Sequence, residues 1–370
     1  MAARASTAPL LDRRTLNRTL LARQGLLERA TTTPAEVLTR LVGMQAQEPI
    51  DPYVALWTRI SDFDPLSLSE GIADRRFVRI GLMRTTLHLV TVQDALALHP
   101  IMVDVLRRAW RSSPFARTLG DVDLVPMLVT AEAVLRARPT TPADLATALG
   151  ARWPDRDPTA MSYLARFLLP LVQVPPRGLW RQTSRATNTT LEAWSGREPE
   201  GAEIDDVVVR YLRAFGPATS SDVRTWSWLT GLRPVLERLR PRLRTYRDEA
   251  SRELFDVEDG VIADPATPAP VRFLPQYDNV FLSHDDRSRI NGARTWGLDF
   301  GWKGAVLVDG GITGAWRVKR AGGLATMTVE LGRDLTAGEL RDLEAEAEAL
   351  SRFLDPDGQR DVVIVATGAP

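Results

Sequence analysis

Thr33-Pro-Ala-Glu-Val-Leu-Thr-Arg-Leu41 recurs almost verbatim as Thr141-Pro-Ala-Asp-Leu-Ala-Thr-Ala-Leu149, and Thr219-Ser-Ser-Asp-Val-Arg-Thr225 is a looser third copy. Each phrase reads as a helix start. The leading Thr can cap through its hydroxyl, Pro34 and Pro142 suit the first helical position, and Glu36 or Asp144 at the third can reach back to the cap. The match continues downstream, with an aliphatic residue right after the acid and a Thr two positions later, as expected of a duplicated helix-turn-helix unit.

The flanks extend the repeat. After the second phrase come a fresh cap at Asp157-Pro158, an apolar-periodic run over 161–171, and a strand, turn and strand over 172–181. Helix, helix, hairpin is the winged-helix order. The third phrase is preceded by a periodic helix over 207–215 and followed by another over 233–239, then two strand-like runs at 243–248 and 253–257. The first unit is longer, with helices over 15–28 and 34–44, another after Ser67, and an extended run over 77–90. Three tandem winged helices are expected, at 1–118, 119–200 and 201–268.

Residues 269–370 differ in kind. Strands are expected over 271–278, 305–309, 312–318, 325–331 and 361–366, with Asp309-Gly310-Gly311 as a hairpin turn and one amphipathic helix over 336–353. The expectation is a small β-barrel or curled sheet carrying a helix, so the fold class is α+β.

Composition narrows the chemistry. The chain has 370 residues, 44% of them hydrophobic, and no run approaches the 18 apolar residues of a membrane span, so a cytoplasmic protein with no membrane partner is expected. With no cysteine, disulfides, thiolate nucleophiles and Cys-ligated zinc are excluded. His88, His99 and His284 form no HExxH motif, so neither a metal nor another cofactor is expected. Net charge is zero, yet residues 1–120 carry 16 Arg against 11 acids and 207–252 carry 10 against 4, while 321–370 carry 4 against 10. Arginine-rich segments beside an acidic end suit a protein that holds phosphates on one face.

Two segments carry candidate chemistry. In Gly43-Met-Gln-Ala-Gln-Glu-Pro-Ile-Asp-Pro52, two glutamines at i and i+2 diverge on a helix but share one side of an extended chain; Pro49 and Pro52 should stop the helix begun at Thr33, so that Gln45 and Gln47 converge at its end. In Arg84-Thr-Thr-Leu-His-Leu-Val90, strand alternation puts Arg84, Thr86 and His88 on one face.

Together with Val174-Pro-Pro-Arg-Gly-Leu-Trp180, Phe215-Gly-Pro-Ala-Thr219 and Leu274-Pro-Gln-Tyr-Asp278 continuing to Arg287, these segments resemble the AlkZ-type bacterial DNA glycosylases over nearly the whole chain. The resemblance implies three winged helices in a C-shape, a C-terminal β-barrel, and removal of N7-alkylated guanine, including bulky adducts and interstrand crosslinks made by antibiotics. Gln45-Ala46-Gln47 matches the family's Gln, aliphatic, Gln or Asp signature, in the branch associated with self-resistance. The expected catalytic residues are Gln45 and Gln47; Arg84, His88, Arg177 and Trp180 are expected to contact double-stranded DNA, and the protein to act as a monomer.

The chemistry agrees with that assignment. N7 alkylation makes guanine a good leaving group, so two amides need only orient water and stabilise an oxocarbenium-like state, worth about 2 to 4 kcal/mol by analogy with single preorganised groups. Lys303 and Lys319, the only lysines, lie far in sequence from the glutamines, which points to a monofunctional enzyme that forms no Schiff base. A transcription regulator or a non-catalytic winged-helix scaffold is the alternative, and release of free N7-alkylguanine discriminates among the three. The hairpins near Pro175, Ser251 and Gly310 are all candidates to probe DNA.

Overall fold

The computed structural model describes residues 8–291 and 303–366. The chain opens with α1 (Arg13–Arg23), α2 (Pro34–Arg40), β1 (Met44–Gln45), α3 (Asp51–Trp57), α4 (Pro65–Ala73), β2 (Phe77–Gly81) and β3 (Leu87–Thr91). Thr33 caps α2 in a full capping box with Glu36. The helix ends at Arg40, earlier than expected and without help from proline: Val42 and Gly43 turn the chain at φ 55° and 91°. Only glycine fits there, since a Cβ on Gly43 would stand 2.4 Å from Val90 Cγ1. Pro52 starts α3 rather than stopping α2. The run over 77–90 is not one strand but a hairpin, broken by a short turn at Met83–Thr85 in which Arg84 and Thr85 take φ 55° and 57°. Arg84 therefore reaches the face of His88 from a turn, not by strand alternation.

Next come α5 (Val92–Ser112), α6 (Pro114–Leu119), α7 (Val125–Ala137), α8 (Pro142–Arg152), α9 (Pro158–Leu168), β4 (Leu171–Gln173), β5 (Asn188–Thr190) and α10 (Leu191–Ser195). Thr141 and Asp157 cap α8 and α9. The strand expected near Trp180 forms at Asn188 instead, because Trp180 folds away to pack at a tilt against Tyr53 and Phe353, at 4.8 and 4.9 Å between ring centres. β4 pairs with β2, giving one five-stranded sheet in the order β1-β3-β2-β4-β5. The sheet thus crosses the unit boundary expected at residue 118.

The third helix group is α11 (Ile204–Phe215), α12 (Ser220–Ser227) and α13 (Leu232–Leu239), followed by the hairpin β6 (Leu243–Arg247) and β7 (Glu253–Val257). Thr219 and Asp222 form the capping box of α12. Val207, Val208, Tyr211, Leu212 and Phe215 recur at helical spacing along α11 and are buried, in one core that also takes Val78, Ile80 and Val90 from the sheet.

The remainder comprises β8 (Arg272–Leu274), α14 (Asn279–Leu282), α15 (Ser288–Asn291), β9 (Gly304–Val308), β10 (Gly311–Ala321), β11 (Leu324–Leu331), α16 (Ala337–Leu354) and β12 (Gln359–Ala366). Among the described residues this is a five-stranded sheet with β12 and β8 at its ends, not a closed barrel. Ala325, Met327, Val329 and Leu331 alternate inward along β11, and Leu343, Ala347, Leu350 and Leu354 of α16 cover that face. The Asp309-Gly310 turn forms as expected, both residues at positive φ, and docks on α1, where Asp309 pairs with Arg14 and Arg18. These pairs anchor that turn to α1. A more exposed basic hairpin is β10–β11, with Arg317, Lys319 and Arg320 leading to a Gly322-Gly323 tip.

Candidate active site

Gln45 lies on a two-residue strand paired with β3, opposite His88. Extended backbone sends the side chains of residues 45 and 47 to the same side. Each carboxamide oxygen is held by one donor: Gln45 Oε1 accepts from Arg84 Nη2 at 3.0 Å, and Gln47 Oε1 accepts from the Leu87 amide at 2.9 Å. An amide oxygen has two acceptor sites, so each retains one. Gln45 is buried and Gln47 exposed, so the pair runs from the interior to solvent.

The Arg84 guanidinium is the hub. Besides Gln45 it donates to the Trp226 carbonyl and approaches His88 Nε2 at 3.3 Å. His88 Nδ1 stands 3.0 Å from the Thr86 carbonyl, which can only accept, so Nδ1 carries the proton and Nε2 is the acceptor facing Arg84. Burial, and then the charge of Arg84, pushes His88 down to about 3, which keeps the ring neutral. Burial, and then Arg287 nearby, lowers Arg84 to about 10, still charged at neutral pH. Asn279 Nδ2 donates to the Gly43 carbonyl at 2.8 Å and fixes the turn that delivers the glutamines. Its neighbour Asp278 forms a fully buried two-bond pair with Arg59, at 2.8 and 2.7 Å.

Of the residues singled out in the sequence, Gln45, Gln47, Arg84 and His88 therefore come together, while Arg177 and Trp180 do not join them. Antiparallel partners share a face, so Gln45, His88 and Ile80 lie on one side of the sheet and Met44, Leu89 and Arg79 on the other. The Arg177–Trp180 turn lies over that second side, where a Cβ on Gly178 would stand 3.1 Å from Arg79 Cδ. Arg177 closes its own loop onto the Ser184 carbonyl at 3.0 Å. Buried Arg84 holds Gln45 and buried His88 backs Arg84, so neither side chain is turned to solvent.

No motif marks Trp228, which at 49% is the most exposed of the described tryptophans. It caps α12 with φ 63°, two residues beyond the carbonyl that holds Arg84, and its own carbonyl accepts from Arg108 at 2.9 Å. Nothing periodic marks it, since a left-handed cap is normally glycine.

No curated protein sequence matches the chain. The solved structure of the Streptomyces sahachiroi DNA glycosylase AlkZ is similar in fold, with a TM-score of 0.74 and 22% identity over 96% of this chain and 100% of that one. Residues 38–353 match the family described as DNA glycosylase AlkZ-like. With that match spanning the glutamine pair, the sheet that holds it and most of α16, the chain belongs to the AlkZ-like DNA glycosylase family.

Proposed function

We propose that this DNA glycosylase hydrolyses the N-glycosidic bond of N7-alkylated guanine in duplex DNA, including bulky adducts and interstrand crosslinks left by DNA-alkylating natural products. Its place is then in repair and self-resistance, acting as a cytoplasmic monomer. The observation that carries this reading is the clamped pair of carboxamides, Gln45 on Arg84 and Gln47 on the Leu87 amide, each with an acceptor site left for water. Neutral amides suit a leaving group that already bears positive charge. They orient the nucleophile and stabilise the sugar cation without protonating the base.

We read the three Thr-capped helix groups with their hairpins as winged helices arranged in a C around the duplex. The N7 adduct lies in the major groove, and a crosslinked guanine cannot leave the stack, so the glutamines reach the sugar from the minor-groove side. The exposed β10–β11 hairpin, with Arg317, Lys319 and Arg320, supplies a basic arm, and Trp228, two residues beyond the carbonyl that holds Arg84, supplies an exposed indole. Lys303 is engaged by Glu330 at 2.6 Å, and Lys319 sits on a different element from the glutamines, in keeping with a monofunctional reaction.

The test is release of free base from duplexes carrying N7-methylguanine or an N7-linked crosslink. Gln45→Ala and Gln47→Ala are each expected to slow release by about 30- to 1,000-fold, equivalent to about 2 to 4 kcal/mol. Absence of released base, or a double variant as fast as the parent, would sink the proposal.

A further inference from the structure

Arg84, which grips Gln45, has no acid among its partners: it donates to the Gln45 carboxamide and the Trp226 carbonyl and approaches His88 Nε2. A second guanidinium stands nearby. After burial, the charge of Arg287 is what lowers the pKa of Arg84. Two neighbouring cations, one of them bonded to Gln45, thus have no carboxylate bonded to either among the described residues. Uncompensated charge in a partly buried place is costly to hold.

The acids flanking Arg287 are used elsewhere. Asp285 accepts from Thr225 Oγ1 at 3.1 Å and its amide donates to Asp222 Oδ1 at 2.9 Å, which ties the segment to α12 one residue before the Trp226 carbonyl that holds Arg84. Asp286 pairs with Arg252 and accepts from the Ser288 amide at 2.9 Å. Asp285 is near enough to oppose the effect of burial on Arg287 but does not bond to it. The Arg287 carbonyl accepts from the Ile290 and Asn291 amides at 2.9 Å each, so the backbone beneath the side chain is fixed. Nε of Arg287 is enclosed, but the terminal nitrogens Nη1 and Nη2 are neither enclosed nor hydrogen-bonded. The half-buried side chain therefore keeps the outer end of its fork accessible.

A guanidinium held in this way matches a phosphodiester, whose oxygens accept parallel N–H bonds. The reaction gains from an anion there as well. A sugar cation developing beside Gln45 is repelled by Arg84, and a phosphate bound at the neighbouring guanidinium offsets that repulsion.

We infer that Arg287 binds a phosphodiester flanking the damaged nucleotide and so seats its sugar against the glutamine pair. The inference rests on the N7-alkylguanine reaction proposed above.

The test uses the full chain and duplexes carrying one N7-methylguanine on a 2′-fluoro sugar that resists hydrolysis, with affinity measured across a salt series. Arg287→Ala should weaken binding about 10-fold and make the salt slope shallower by about 0.9, the value of one phosphate contact, while Arg287→Lys keeps the parental slope. Arg287→Gln, which keeps most of the stem, repeats the measurement should the alanine variant fail to fold. A neutral methylphosphonate placed singly at each phosphate around the lesion then locates the contact: one position should weaken the parent about 10-fold and leave Arg287→Ala or Arg287→Gln unaffected. An unchanged salt slope in the uncharged variant, or equal losses in parent and variant at every position, overturns the site. Base release from the ordinary sugar with an unchanged slope removes Arg287 alone; a changed slope and a located phosphate without base release remove the proposed reaction and leave the phosphate site.

Discussion

Arg84 holds Gln45 from a turn in which its own backbone is left-handed, φ 55°, so the 3.0 Å contact between them joins a strained residue to a strand residue. The guanidinium fork serves Gln45 and the Trp226 carbonyl together, which a lysine ammonium at the same place cannot reproduce. Arg84→Lys should therefore slow base release by about 10- to 100-fold, the loss of a charged hydrogen bond worth about 1.5 to 3 kcal/mol. Being buried, Arg84 should leave the salt dependence of DNA affinity unchanged. A slope shallower by about one in Arg84→Ala would return it to the phosphate contacts.

Trp228 predicts opposite signs for two properties of one variant. Glycine accepts a left-handed helix cap that costs an indole-bearing residue about 1 kcal/mol, so Trp228→Gly should raise the unfolding midpoint. The same change should weaken duplex binding by about 1 to 3 kcal/mol if the ring stacks on a base, with Trp228→Phe retaining most of the affinity. Anisotropy titrations and thermal melts on both variants decide it; unchanged affinity in Trp228→Gly removes the ring from the interface.

The Arg59–Asp278 pair is buried on both sides, and removing one partner strands the other charge. Asp278→Asn should cost about 3 to 5 kcal/mol in denaturant unfolding. Replacing both residues by apolar side chains of similar volume should cost less than Asp278→Asn alone. A near-neutral single variant would show that water reaches the pair.

The pH profile has two opposed contributions. His88, His99 and His284 are pushed down to about 3, 4 and 3 by burial, so the unfolded chain takes up their protons first and stability falls as pH drops from 6.5 toward 4. Asp51 runs the other way: raised from 3.8 to about 7, it favours the folded state at low pH and that contribution is lost as pH rises to 7. The histidines outnumber it, so net acid destabilisation is expected, at about 1.4 kcal/mol per pH unit for each net proton. Asp51→Asn should be more stable than the parent at pH 8 and equal to it near pH 4. A variant less stable at pH 8 contradicts an ionised, poorly solvated Asp51.

What could be read in the sequence was local. The three Thr caps at 33, 141 and 219 are complete within four residues, and all three start helices where expected. The i, i+2 spacing of Gln45 and Gln47 is visible in the sequence, but the device that aligns them is not the proline stop. It is the Gly43 turn and the pairing of β1 with β3, a contact 43 residues away in sequence between Gln45 and His88. The turn at Arg84 and Thr85 was invisible because both take positive φ without being glycine or asparagine. The packing of Trp180 against Tyr53 and Phe353 depends on α16, more than 150 residues downstream, so no local pattern foretells it.

The pairing of β2 with β4 has a practical corollary for dissecting the molecule. A fragment ending near residue 118 would retain β1, β3 and β2 but lose the strand that shields β2, baring unpaired amides and carbonyls that invite self-association. The first two helix groups are thus welded at the backbone, and they can be recombined or transplanted only as a single block.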